Sequence, residues 1–227
     1  MLSRIKNIIE RNKANKPNSP NALILFEGIY KGLKKRGSDM LMILKKDSTF
    51  SLDEDLYMCS LFPVKLLDLV LSELKPKDII DVGCGTGLSL KYFLDMGINA
   101  DGLENSIKAI NNSPVKNKIT RHNLNKTYFS DKRYDLVWCF EVIEHIHLKY
   151  EQNFLQTLIL HSDNIVLSAA RPGQGGCGHF NEQEPDYWID KFKMLGYEND
   201  VVLTEKFRST GEPFTKNILY FKKKLGF

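Results

Sequence analysis

Asp81-Val82-Gly83-Cys84-Gly85-Thr86-Gly87 is the stretch on which the reading of this chain turns. It follows the apolar pair Ile79-Ile80 and precedes a helix-like run from Leu88 to Met96. Strand, glycine turn and helix in that order bring a nucleotide-like ligand to a helix N-terminus. The glycines let the backbone turn tightly and leave no Cβ in the way of a bound molecule. A dinucleotide-binding turn would carry its last glycine one position later, where this chain has Leu88.

Outward from that turn the pattern is regular. Residues 63–74 read as a helix stopped by Pro76, and Asp78–Val82 reads as the first strand. A helix over 87–96, a strand over 99–103, a short helix over 106–111 and a strand over 118–121 follow. The run 134–139 (Tyr-Asp-Leu-Val-Trp-Cys) reads as a buried strand, 149–160 as a helix, 164–169 as a strand and 184–195 as a helix. Two apolar, β-rich runs close the chain, 200–203 and 217–221, and predict an antiparallel hairpin at one sheet edge. Strands alternating with helices imply an α/β fold: a doubly wound, mostly parallel sheet, expected here with seven strands. Residues 51–227 are expected to form that domain. Residues 1–50 read as a helical N-terminal extension, with helices near 2–12 and 22–35 around a Pro/Asn-rich turn.

The 227 residues suffice for one large domain with a sizeable core. The net charge of +4 is mild and dispersed, which argues against a dedicated polyanion-binding tract. The densest basic run, 31–36, reads as a solvated helix end. Four scattered cysteines, Cys59, Cys84, Cys139 and Cys177, form no C-x-x-C pair, so neither structural zinc nor a disulfide framework is expected. No apolar run is long enough to span a bilayer, and residues 1–6 lack the apolar core of a signal peptide. A cytoplasmic protein is the expectation.

The form Asp-Val-Gly-Cys-Gly-Thr-Gly, with a strand before it and a helix after it, resembles motif I of the class I S-adenosylmethionine-dependent methyltransferases. That resemblance covers roughly residues 56–222 and implies S-adenosylmethionine as cofactor. It assigns Gly83, Gly85 and Gly87 to the cofactor turn. Asp81 would orient that turn and the amino-acid end of the cofactor. Glu104, about twenty residues on, would accept hydrogen bonds from the ribose hydroxyls. Asn123 and Leu124 would meet the adenine, and Phe140 would line the methionine arm. Ligands of such open sheets bind beyond the carboxyl ends of the strands, where all these residues map.

Just after the fourth strand comes Glu141-Val142-Ile143-Glu144-His145, and the fifth strand is followed by the glycine-rich loop Arg171 to Glu182, which contains His179. E-x-x-E-H with a distant His resembles the small-RNA 3′-terminal 2′-O-methyltransferases and the ubiquinone-biosynthesis O-methyltransferases. The resemblance implies that Glu141, Glu144, His145 and His179 ligate one divalent ion, Mg²⁺ or Mn²⁺. Carboxylates with imidazoles suit these ions better than thiophilic ones. The alternative is metal-free: His145 or His179 acts as general base, with Glu144 shaping the pocket. In either case Glu144, His145 and His179 are the candidate catalytic residues. His147 reads as a neighbour of that set and His161 as a helix-end residue. Tyr57, Met58, Phe62, Tyr187 and Trp188 read first as core, with one or two lining the acceptor site.

The loop Pro172-Gly173-Gln174-Gly175-Gly176-x-Gly178-His179-x-Asn181-Glu182-Gln183, followed by Tyr187-Trp188, resembles methyltransferases associated with sugar and surface-polysaccharide modification. The expected acceptor is therefore a hydroxyl of a sugar, glycan or related small molecule. Two other readings stand beside it: a nucleic-acid 2′-O-methyltransferase, though no aromatic-interleaved basic surface is evident, and a catalytically silent partner protein of the same fold. The sequence says nothing of oligomeric state.

Overall fold

A computed structural model describes residues 62–176, 178–224 and 226. The expected extension over 1–50, with its two helices and the basic run 31–36, lies outside those residues, as do Tyr57, Met58, Cys59 and Cys177. Within them the order is α1 (Val64–Leu74), β1 (Asp78–Val82), α2 (Leu88–Asp95), β2 (Asn99–Glu104), α3 (Ile107–Asn111), β3 (Ile119–Arg121) and β4 (Leu136–Cys139). Then come α4 (Glu151–His161), β5 (Asn164–Ser168), α5 (Pro185–Met194), β6 (Tyr197–Asn199), α6 (Val201–Arg208) and β7 (Ile218–Lys223). The strands form one seven-stranded sheet in the order β3-β2-β1-β4-β5-β7-β6. Strands β1 to β5 are mutually parallel, and β7 runs antiparallel between β5 and β6.

Side-chain alternation explains the layering. Successive residues of a strand point to opposite faces. In β4, Leu136 and Trp138 join one core cluster while Val137 and Cys139 join the other. The first cluster also takes Leu66 and Val70 of α1, Leu90 and Phe93 of α2 and Phe207 of α6. The second takes Phe154 and Leu158 of α4 with Trp188 and Phe192 of α5. All four residues of β4 are buried, because helices cover both faces. Trp188 lies in this core, and Tyr187, partly buried against it, turns its hydroxyl to Glu151.

The chain end departs from expectation. Residues 200–203 are not a strand: Asp200 caps α6, accepting the Leu203 N–H at 3.0 Å, and the helix continues to Arg208. The strand lies just before it, over Tyr197–Asn199. Val201 and Val202 are β-branched but exposed, while Thr204 and Phe207 are buried at helical spacing. The cap and the buried stripe outweigh β propensity, which is a weak prior. The last two strands are thus joined through a helix rather than by a hairpin.

Gly102 in β2 faces the glycine turn and α2 with no room for a side chain. A Cβ there would lie 2.7 Å from Cys84 Sγ and 2.9 Å from Leu90 Cδ2. Gly102→Val is expected to destabilise the domain by about 1–3 kcal/mol through overpacking. A lower urea midpoint would show it, and an unchanged midpoint would refute it.

Candidate active site

Because β1 to β5 are parallel, the segments that follow them gather at one edge of the sheet. β2 lies on one side of β1 and β4 on the other, so the connections diverge there. A cleft opens at such a switch point in doubly wound sheets. The glycine turn leaves β1 there, and Glu141 to His145 leave β4 beside it.

The turn is held by its neighbours. Gly83 and Cys84 donate their N–H groups to the Leu103 carbonyl at 2.8 and 3.1 Å. Gly85 donates to Glu104 Oε2 at 2.9 Å, and Ser106 donates to Oε1 of the same carboxylate at 2.7 Å. Gly83 has φ +80°, and a Cβ on it would lie 2.6 Å from the Val142 methyls. The chain itself, through the segment after β4, therefore requires glycine at this position. The two Glu104 oxygens together offer about four lone-pair sites, so acceptor capacity remains beyond these backbone bonds. Burial raises the Glu104 pKa, against the Ser106 and Gly85 N–H groups.

Asp81 is 3% exposed. Burial first, then the charge of Glu104, pushes its pKa up to about 8, against the Leu90 N–H. Two acids crowded at the turn, each raised in pKa by burial, make a setting that favours positive charge. A ligand carrying an ammonium group and hydroxyls fits it. Asn123 and Leu124 follow β3, with Asn123 Oδ1 accepting the Asn125 N–H at 3.0 Å and Leu124 buried in the core. Phe140 stacks flat on Trp138, centroids 5.4 Å apart.

The second constellation begins with Glu144. It is fully buried, and no donor reaches either carboxylate oxygen with hydrogen-bond geometry. Burial raises its pKa well above the ordinary range and the neighbouring Glu141 adds to this; nearby backbone N–H groups of Glu144 and Ala170 offset it only in part. Such a group is costly unless something positive meets it. Ligand atoms of Glu144, His145 and His179 lie within 4.8 Å of one another. His145 Nδ1 faces the Gly178 carbonyl at 3.1 Å, and His179 Nδ1 faces Glu182 Oε1 at 2.7 Å. A carbonyl and a carboxylate can only accept, so each imidazole carries a proton on Nδ1 and leaves Nε2 as the ring nitrogen turned away from that acceptor. Burial, then His179, lowers the His145 pKa to about 4, against the Gly178 carbonyl, so this ring is neutral near pH 7. One unsatisfied carboxylate and two such imidazoles fit a divalent cation in donor type.

Glu141 neighbours Glu144 and has bonds of its own. Its backbone is left-handed (φ 54°), its N–H donates to Ser168 Oγ at 2.7 Å, and its carboxylate accepts from Gln174 Nε2 and Asn217 Nδ2, both at 3.0 Å. Gln174 and Asn217 are also joined to each other at 2.8 Å. Sequence reasoning missed both residues, since Asn217 is 76 positions from Glu141 and no local pattern links them. It also missed Glu182, whose only signal is its place three residues after His179. Glu182 accepts the Gly173 and Gly175 N–H groups at 2.9 and 2.8 Å as well as the imidazole. Burial opposes its charge, but the His179 ring and those N–H groups hold its pKa below the usual range.

The remaining named residues lie elsewhere. His147 is exposed and caps the Lys149 N–H. His161 is buried, bonding the Thr157 carbonyl of its own helix at 2.7 Å and stacking on Tyr128. Phe62 packs edge-on against Tyr92.

Comparison with known proteins bears on the family and the fold. Residues 57–163 match the family described as methyltransferase domain. The ubiquinone biosynthesis O-methyltransferase of Rickettsia felis is 33% identical over 96 residues, 40% of this chain and 38% of that protein. Its counterpart in Rickettsia akari is 36% identical over 90 residues, 37% of this chain and 35% of that protein. The chain thus spans less than two fifths of the length of these relatives. Among solved structures, the Burkholderia thailandensis 1,6-didemethyltoxoflavin-N1-methyltransferase, with S-adenosylhomocysteine bound, aligns with TM-score 0.56 and 11% identity over 92% of each chain. The small RNA methyltransferase HEN1 aligns with TM-score 0.53 and 16% identity over 70% of this chain and 25% of that one. These two likenesses establish the fold, that of the class I methyltransferases. In sequence the chain resembles S-adenosylmethionine-dependent methyltransferases. No helix among the described residues is long and apolar enough to cross a membrane.

The Asp81 environment makes stability depend on pH. Between the ordinary value of 3.8 and the folded value of about 8, the ligand-free folded chain holds a proton that the unfolded chain releases. The stabilisation tied to that proton is complete below the ordinary value and is lost as pH rises through the folded one. Relative to Asp81→Asn, the wild-type melting temperature should therefore fall between pH 5 and pH 8. Parallel pH profiles for the two proteins would contradict this.

Proposed function

We propose that this chain is an S-adenosylmethionine-dependent O-methyltransferase. Its acceptor is a hydroxyl of a sugar, glycan or related small molecule. The observation that carries the proposal is the fully buried, donor-less Glu144 carboxylate, grouped with His145 and His179 beside a glycine turn held by Glu104.

The chain's own groups divide the work. The turn and Glu104 hold the ribose side of the cofactor, and Asp81 offers its buried carboxyl to the ammonium of the amino-acid end. Asn123 and Leu124 border the adenine, and Phe140 the methionine arm. The cofactor, when bound, supplies an electrophilic methyl group. Glu144, His145 and His179, with Glu141 adjoining, would hold Mg²⁺ or Mn²⁺. Such an ion lowers the pKa of a hydroxyl and orients it. His145, neutral and with a pKa near 4, is a weak proton acceptor at neutral pH, which favours a ligand role over that of general base.

The acceptor class finds support in the polar row Glu141, Gln174 and Asn217. Asn217 Oδ1 is buried and has no donor of its own. A hydroxyl-rich molecule offers donors where an apolar one offers none. The loop resemblance to sugar-modifying methyltransferases points the same way.

Transfer of radiolabelled methyl from S-adenosylmethionine to separated glycan, small-molecule and RNA fractions, with Mn²⁺ or with chelator, tests the proposal. Label is expected in the glycan or small-molecule fraction and should disappear with chelator. Glu144→Gln should reduce transfer by about 100-fold or more while leaving cofactor affinity intact. Label in RNA, with strongly salt-dependent binding, would replace the acceptor assignment. Transfer that is indifferent to chelator would remove the ion and leave a histidine base. Cofactor binding without transfer to any fraction would indicate a silent fold.

A further inference from the structure

The loop between β5 and α5 does more than carry His179. Its backbone carbonyl at Gly178 receives the Nδ1 proton of His145, and its own carboxylate, Glu182, receives the Nδ1 proton of His179. Both imidazoles of the cluster are thus oriented by one loop, and the rings meet edge to face with centroids 4.9 Å apart. Glu182 is only lightly exposed, as is His179. Its Oε1 accepts from both the imidazole and the Gly175 N–H, and its Oε2 accepts from Gly173. One side chain therefore closes the glycine segment and sets the tautomer and plane of the histidine that follows it.

We infer that Glu182 is a positioning residue for His179: it holds the proton on Nδ1, so that Nε2 is the nitrogen offered to the group formed with Glu144 and His145. Its effect on ion binding rests on the proposed reading of Glu144, His145 and His179 as one ligand set. Its effect on the imidazole does not. A carboxylate behind a ligating histidine fixes the ring and raises its basicity, and removing it typically costs 10–100-fold in metal affinity. The clip also explains why the ligand-bearing loop can be rich in glycine and still hold a defined place. The N–H groups of Gly173 and Gly175 end on a side chain instead of solvent. The next two N–H groups after His179, from Phe180 and Asn181, end on the Glu144 carbonyl at 2.8 and 3.0 Å.

The test uses the full chain with Glu182→Ala and Glu182→Gln. In Glu182→Gln an amide oxygen can still accept from His179 and Gly175. In Glu182→Ala no acceptor remains. Nitrogen-15 imidazole spectra of the ion-free protein should show His179 as the Nδ1–H tautomer in the wild type and in Glu182→Gln, and as a mixture in Glu182→Ala. Mn²⁺ titration followed by electron paramagnetic resonance should show about 10–100-fold weaker binding for Glu182→Ala, with much of it restored in Glu182→Gln. Affinity for S-adenosylhomocysteine should be unchanged in both, which shows that the fold is retained. An unchanged His179 tautomer in Glu182→Ala would overturn the inference, whatever the ion does. A wild type that binds no Mn²⁺ would overturn the ligand-set reading alone, and the tautomer result would still decide the role of Glu182.

Discussion

The central strands β1 and β4 are buried on both faces, and this constraint governs where everything else can go. Ile79, Ile80, Val82, Leu136 and Val137 are at most 1% exposed, since helices cover the sheet from either side. A strand so enclosed cannot host groups that titrate, ligate or meet a ligand without large desolvation costs. Polar function is forced to the edge where the parallel strands end. Asp81, buried near the end of β1, shows what happens otherwise: its pKa is driven far above the carboxylate range. The loops at that edge are consequently where the acids and histidines of the candidate site collect.

Crowding alone would not assemble a site. The loop after β5 is laid onto the loop after β4 by two bonds to a single acceptor, the Glu144 carbonyl, from Phe180 and Asn181. Asn181 is anchored in turn by Glu151 at the start of α4, which also receives Tyr187 and Lys191 of α5. Backbone and buried polar bonds thus tie three elements around His145 and His179. Glu144 then contributes twice. Its carbonyl organises the loops, and its side chain is left without a donor in the middle of them.

Much of this was legible in the residues. The glycine turn with Asp81 at its head, the strand before it and the helix after it are local patterns, and β1 to β5 fall within a few positions of where periodicity places them. Glu104 could be found by its distance from the turn. The error came at the chain end, where residues 200–203 look like a strand because Val201 and Val202 are β-branched. Their exposure, and the capping bond from Asp200, belong to the tertiary setting and are invisible in the local pattern. The requirement for glycine at position 83 was also legible, but its cause was not: the crowding comes from Val142, distant in sequence.

The sequence by itself determined the parallel α/β class, the position of the glycine turn and a set of candidate acids and histidines, because these follow from short-range spacing and backbone chemistry. Only the tertiary structure decided which of them share a site. It brought Glu144, His145 and His179 within 4.8 Å and tied Glu141 to Gln174 and Asn217. Such groupings depend on where loops from separate strands come to rest. Hydrogen bonds between residues 33 to 76 positions apart fix that, and no local pattern encodes them.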